Sequence, residues 1–223
     1  MVYVRERSFH MASRNTVREK CPDSYYHVYN RGVEKRAIFL DDDDYTVFLG
    51  LIKKYLVGDK KDTKNTNRHR FASLGAEVRL IAYCLMPNHV HLLFFQNTQD
   101  GIEKLMRRVM TGYVMYFNHK YARVGSLFQG RYKASRINAD AYLQHISRYI
   151  HMNPASYKTW PYSSLPYYRG EKQVPAWLDI KPIMEIFEER RTDYMEFLVN
   201  YQDNKHELDA LKWQLANNPD DDR

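Results

Sequence analysis

Met86-Pro-Asn-His-Val-His-Leu-Leu-Phe-Phe95 is the stretch from which the fold is read. Along a β-strand, side chains alternate between faces. His89 and His91 therefore share one face, and Val90, Leu92 and Phe94 share the other. Pro87-Asn88 is a turn dipeptide, so residues 77–86, ahead of it, read as the partner strand of a hairpin. Two imidazoles a few ångström apart on one sheet face can share a divalent metal. The same pair also fits two partly exposed histidines beside a turn, because His-x-His by itself is a weak motif.

On the N-terminal side, Tyr25 to Arg31 is rich in aromatic and β-branched residues and is closed by Gly32, which predicts a strand. Asp41 to Asp44 precede a helically periodic run, Tyr45 to Ile52. An acidic run suits a helix N-terminus, and the spacing of an EF-hand cation loop is absent. Residues 57–71 are polar and basic and read as a solvated loop, with DNA contact as the alternative. On the C-terminal side, Ile102, Leu105, Met106, Val109, Tyr113, Tyr116 and Phe117 recur at steps of three and four, predicting a helix over 102–121. Residues 127–137 read as a strand, and 140–153 as a helix ended by Pro154. Residues 154–175 interleave prolines with Trp160, Tyr162, Tyr167 and Tyr168 and read as a packed connector.

The element order is β, α, β, β, α, β, α. This predicts an α+β fold: a ferredoxin-like antiparallel sheet with helices on one face, a later helix near the other face, and a helical C-terminal extension. The expected division is a basic N-terminal arm (1–24), a central domain (25–153), the connector (154–175) and an acidic extension (176–223).

On the last helix of the central domain, Tyr149 and Asn153 are one turn apart and so are neighbours, with His145 a turn earlier. Asn153 can offer a carbonyl oxygen to a metal held by His89 and His91, which puts Tyr149 beside it. The plainer reading is a tyrosine at a helix–sheet interface and an asparagine at a helix end. In a chain with 19 tyrosines, one tyrosine alone carries little information.

The 223 residues carry a net charge of +7, unevenly spread. Residues 1–170 hold 27 Lys and Arg against 14 Asp and Glu, and residues 171–223 hold 7 against 13. A basic body suggests a polyanionic partner. Lys104, Arg107, Arg108, Lys120, Arg123, Arg131, Lys133 and Arg136 fall in a segment containing one acid, Glu103. They are candidate DNA-phosphate contacts, as is Arg31. Tyr132, Phe128 and Tyr113 are possible base-stacking platforms, although core packing is the better reading of the last two. No apolar run is long enough to span a membrane, and residues 1–15 hold no stretch of signal-peptide length. The two cysteines lack metal-finger spacing, and no phosphate-binding P-loop is present, so a reducing cytoplasm without a nucleotide cofactor is expected.

Four stretches, taken together, carry a more specific signal: Tyr26-His-Val-Tyr-Asn-Arg-Gly32, Met86-Pro-Asn-His-Val-His91, Gly125-Ser-Leu-Phe-Gln-Gly-Arg-Tyr-Lys133 and Tyr149-Ile-His-Met-Asn-Pro154. In this order the chain resembles the single-tyrosine HUH transposases, and among them the bacterial REP-associated tyrosine transposases. The resemblance implies that residues 25–153 are a nuclease domain. It puts the metal histidines at His89 and His91, the third ligand at Asn153 and the nucleophile at Tyr149. It implies cleavage and rejoining of single-stranded or hairpin DNA through a 5′-phosphotyrosine, with Mg²⁺ or Mn²⁺ as cofactor. His145 is the candidate base. A nucleoid-associated monomer is expected, a dimer being the arrangement of other relatives. The competing readings are a hairpin-binding protein without catalysis and an RNA-binding regulator on the same kind of sheet. The acidic region beyond Gly170 is expected to act as a DNA mimic or as a cover over the basic cleft.

Overall fold

In β1 (Ser24–Arg31) and β3 (His89–Gln96), apolar side chains alternate with polar ones toward the end where the histidines sit. These two strands form the middle of the sheet. The computed structural model describes residues 20–58, 72–137 and 140–200. With β2 (Val78–Met86) and β4 (Lys133–Ile137), the strands form one sheet of order β2-β3-β1-β4, every neighbour antiparallel. Helices α1 (Asp42–Val57) and α2 (Gly101–Lys120) make the two crossovers. This is the expected ferredoxin-like βαββαβ arrangement. The helices cover the face that carries Val28, Val90, Leu92 and Phe94, all fully buried.

The acidic run caps α1. The Asp41 carboxylate accepts from the Asp44 backbone N–H at 3.1 Å, and Asp44 accepts from Leu40 N–H at 2.8 Å. One donor of the first turn, and the Leu40 donor just ahead of the helix, are thus met by side chains. Lys120, at the end of α2, donates to Asp41 at 2.7 Å and to Asp44 at 3.0 Å. The carboxylates therefore tie one crossover helix to the other.

Helix α3 (Asp140–His151) lies across the opposite face, touching β2, β3 and β4. The connector and the start of the extension close the free edge of β2. Leu85 N–H donates to Tyr162 O and Ser164 N–H to Tyr83 O, both at 2.9 Å, and Asp179 N–H donates to Leu80 O at 2.8 Å. An open strand edge is an aggregation hazard, and these contacts cover it. Three short helices follow: α4 (Leu165–Tyr168), α5 (Lys181–Ile186) and α6 (Arg191–Val199). Leu165, Tyr168, Ile183, Tyr194 and Leu198 are buried with the rest of the core. The described part of the extension is accordingly built into the core beside α3. A truncation after Gly170 would remove core residues as well as any cover. Residues 201–223 of the expected cover, 1–19 of the basic arm and 59–71 of the loop lie outside the described residues.

Two buried side chains of α3 hold it to the extension. Arg148, 1% exposed, donates to Phe197 O at 3.1 Å and to His145 Nδ1 at 2.8 Å, with its guanidinium 4.2 Å from the Phe197 ring centre. His151 Nδ1 is 2.6 Å from Tyr194 Oη, and its Nε2 is 2.7 Å from Ser164 Oγ. Ser164, His151, Tyr194 and Ser147 thus form one buried chain of hydrogen bonds. Tyr194 donates to Ser147 at 3.2 Å, and Ser147 to Gln144 O at 2.8 Å. Arg148→Met removes the polar anchor while keeping most of the volume. It should cost about 2–4 kcal/mol through the stranded acceptors. A thermal melt would then fall by roughly 4–16 °C in a domain of this size. An unchanged midpoint would show that the anchor contributes nothing.

The strand expected over 127–137 is shorter. Tyr29 pairs with Lys133 in the regular ladder, and Gly32 bridges Phe128 beyond it. Two residues of β1 (30 and 31) thus face four of the other chain (129–132). The surplus pair makes a bulge that pushes Gly130 to Tyr132 out of the ladder, while Gln129 N–H still donates to Arg31 O at 2.9 Å. Asn30 Nδ2 donates to Gly130 O at 3.2 Å and holds the bulge. Among the described residues no helix is long and apolar enough to cross a membrane. Cys21 and Cys84 are both free thiols.

Candidate functional site

The β1–β3 register sets Tyr29 opposite His91 and Arg31 opposite His89. Directly opposed residues share a face, so all four project from the side on which α3 lies. The Tyr149 ring from α3 stands edge-on to His91, centres 5.2 Å apart, and the His89 and His91 rings are 4.9 Å apart. Asn153, two residues past the end of α3, brings its Oδ1 to 3.0 Å from His89 Nε2. A cavity of about 610 Å³ contains His89, His91, Tyr149 and Asn153. Arg31, Arg131 and Lys133 also line it, with Gln129 and with Gly130 and Tyr132 of the bulge. The structure thus gathers in one cavity both predicted histidines, the tyrosine, the asparagine and three of the nine candidate DNA contacts.

The ring nitrogens can be assigned from their neighbours. Asn88 Nδ2 donates to Lys35 O at 3.2 Å, which turns its Oδ1 toward His89 Nδ1, 2.6 Å away. An amide oxygen only accepts, so His89 Nδ1 carries the proton. In the neutral ring, Nε2 then holds a lone pair, and it faces the Asn153 carbonyl oxygen at 3.0 Å. Two acceptors this close are mismatched unless a proton or a cation lies between them or the Asn153 amide turns over. A divalent cation held by both atoms would relieve that mismatch. His91 Nδ1 is engaged by His27 Nε2 at 2.9 Å, so Nε2 is its remaining nitrogen. Burial pushes His27 down to about 3 and, with His27 and His89 adding, holds His91 well below its ordinary value. Both are therefore neutral near pH 7, the form in which imidazole binds a metal. The donor set of His89, His91 and Asn153 fits a divalent cation. Among the described residues no cluster of three or more His, Cys, Asp or Glu could hold a metal, so this set relies on its amide.

Other expected residues lie elsewhere. His145 packs its ring 5.4 Å from Phe197, and its Nδ1 accepts from Arg148, so that lone pair is already in use. It is absent from the cavity wall, and a role as base on Tyr149 finds no support in its placement. Arg107 lines a second cavity of about 450 Å³ between α2 and the bulge, which Arg131 also borders. Arg108 lies over Tyr55 on the helical side, 5.7 Å from the ring centre. Arg136 pairs with Tyr26 on the helix-covered face and donates to Ser24 Oγ at 3.3 Å. Strand alternation separates it from Lys133. Tyr113 and Phe128 are core, and Tyr132 borders both cavities.

The sequence reading gave His27 no role of its own. The alternation of Tyr25-Tyr-His-Val-Tyr-Asn-Arg31 puts His27 on the face of Tyr29 and Arg31. Its contact with His91 becomes visible only once the β1–β3 pairing is known.

A family model described as "Transposase IS200 like" matches residues 22–153. The chain belongs to the IS200-like transposase family. The matched stretch runs from the start of β1 to Asn153, so this transposase carries all four central cavity residues within the family region. The connector and extension lie outside it. A search of curated proteins finds no match. Among solved structures, the chain is similar to one titled "Structure of the REP associates tyrosine transposase bound to a REP hairpin". The TM-score is 0.51 at 16% identity, over 73% of this transposase and 90% of that chain. At that identity the likeness is one of fold.

Proposed function

We propose that this transposase is a divalent-metal-dependent DNA endonuclease and strand transferase that acts on single-stranded or hairpin DNA, with Tyr149 as nucleophile. The observation that carries this reading is the Tyr149 ring against His91, in one cavity with the facing His89 and Asn153 acceptors and three cationic side chains. His89, His91 and Asn153 would hold Mg²⁺ or Mn²⁺, which when bound supplies Lewis-acid polarisation of a phosphate oxygen. Arg31, Arg131 and Lys133 would bind the flanking phosphates by charge-assisted hydrogen bonds. The Tyr149 oxygen attacks the scissile phosphorus: a Tyr O–P bond forms, the bond to the 3′-oxygen breaks, the phenolic proton leaves to solvent and the 3′-oxygen gains one. Attack by a 3′-hydroxyl on the 5′-phosphotyrosine reverses the exchange and joins strands. The number of phosphodiester bonds is conserved, so no nucleotide cofactor is needed. The half-buried position of Tyr149 against His91 and His27 fixes the ring and limits the entropy lost on reaching the phosphorus.

The structural neighbour was solved on a REP hairpin, which makes hairpins of that type the first substrates to test. Incubation of end-labelled hairpin with protein and Mn²⁺ or Mg²⁺ should give a band that survives a denaturing gel. A mobility shift under native conditions with no denaturation-resistant band on any hairpin would instead indicate a binder without catalysis. For the phosphate contacts, Arg131→Ala and Lys133→Ala should each lower the slope of log affinity against log salt by about one. Arg136→Ala, on the other face, should leave the slope unchanged. Equal effects of all three would remove the cavity as the DNA footprint.

A further inference from the structure

His27 is 1% exposed, and its Nε2 lies 2.9 Å from His91 Nδ1. Two neutral imidazole nitrogens at this distance share one proton, and which ring owns it decides what His91 offers the cavity. If His91 Nδ1 carries the proton and donates to His27, then His91 Nε2 keeps its lone pair. If His27 donates instead, His91 Nε2 becomes an N–H and cannot bind a cation. The first arrangement puts the single ring N–H of His27 at Nδ1, which is buried and has no hydrogen-bond partner among the described residues. Directly across the β1–β4 ladder from His27 stands Ser135, whose Oγ is also buried and also without a partner. Directly opposed residues share a face, with Cβ atoms about 4.5–5.5 Å apart. A hydroxyl accepts as readily as it donates, so rotation of Ser135 or one bridging water would satisfy both atoms together.

We propose that His27 is a positioning residue that sets the tautomer of His91, with Ser135 as the group that receives the far proton of His27. This rests on the proposed role of His91 as a metal ligand. His89 is set by Asn88 in the corresponding way, by an amide oxygen on its Nδ1. The two histidines would thus be prepared from the outer side of the site, by β1 and by the hairpin turn, before any cation arrives. Outer partners of this kind commonly change metal affinity by 10–100-fold.

The test is Mn²⁺ affinity of the full-length, DNA-free protein, measured by electron paramagnetic resonance. His27→Phe keeps a ring of similar size but no acceptor, and should weaken Mn²⁺ binding by about 10–100-fold. His27→Gln supplies an amide oxygen that can accept from His91 Nδ1 and should recover most of that loss. A purely structural role would not separate Gln from Phe in this way. Hairpin affinity measured in EDTA should be unchanged in both. Circular dichroism establishes folding. If neither His27 variant folds, Ser135→Ala carries the test, with a several-fold weaker affinity expected and an unchanged one overturning the assignment. Wild-type affinity in a folded His27→Phe protein overturns the assignment alone. Failure of the wild-type protein to bind Mn²⁺ overturns the metal reading and this assignment with it.

Discussion

Tyr149→Phe should form no covalent adduct with a cleavable hairpin, and strand cleavage should fall by a factor on the order of 10⁴–10⁶, the scale of deleting a nucleophile outright. The substitution removes one oxygen. The ring contacts with His91 and His27, at 5.2 and 5.9 Å between centres, are retained, so fold and hairpin affinity should both survive. Measured on one gel against native binding in a parallel lane, the expected pattern is full binding with no covalent band. A covalent band in the variant would move the nucleophile to another tyrosine. Tyr142, on the same helix and exposed, is the next to replace.

The second large effect concerns the cation. His89→Ala deletes one of the two facing acceptors and leaves Asn153 without its partner. Polarisation of the phosphate is worth several kcal/mol of transition-state stabilisation, so cleavage should drop by about 10³-fold or more. Binding should change little, because the proposed phosphate contacts are Arg31, Arg131 and Lys133 and not the imidazole. Wild-type protein in EDTA should behave as the variant does, and added Mn²⁺ should restore only the wild type. Cleavage by His89→Ala at the wild-type rate would show that the His89–Asn153 pair serves packing alone.

The sheet and its partners were readable because local signals agreed with tertiary ones. The alternation around His89 and His91, the turn at Pro87-Asn88 and the three-and-four spacing along α2 each follow from a period that burial enforces. Helical spacing makes Tyr149 and Asn153 neighbours, and both line the cavity although α3 ends at His151, two residues before Asn153. What failed was whatever depended on a neighbour distant in sequence. The extended reading of residues 127–132 missed the bulge, since a surplus of two residues in one strand shows only when the partner is paired. That bulge brings Arg131 and Tyr132 into the cavity. His145 was placed near Tyr149 by helical spacing, but Arg148 and Phe197 of the packed extension claim its ring. Arg108 and Arg136 were grouped with Arg131 by charge, and they project elsewhere because of helix and strand phase. The fully buried Arg148 and His151 gave no sequence signal for the anchoring of α3, because their partners come from the connector and the extension.

That anchoring bears on the chemistry. Tyr149 lies between Arg148 and Ile150, both fully buried, on a helix whose far side is held by α6. The proposed nucleophile is carried on a fixed helix, so its position relative to His91 is set by the fold, a general requirement for sites that depend on approach geometry. Weakening Arg148 should therefore reduce cleavage as well as stability, whereas Tyr149→Phe should affect cleavage only.

The most direct measurement is mass spectrometry of the covalent product. Wild-type protein is allowed to react with a hairpin in Mn²⁺, the DNA is trimmed by nuclease, and the digested peptides are fragmented. A 5′-phosphonucleotide on Tyr149, within Tyr149-Ile-His-Met-Asn-Pro-Ala-Ser-Tyr-Lys158, is the expected result, with Tyr157 of the same peptide unmodified. A nucleotide on any other residue, or attachment through a 3′-phosphate, would contradict the account.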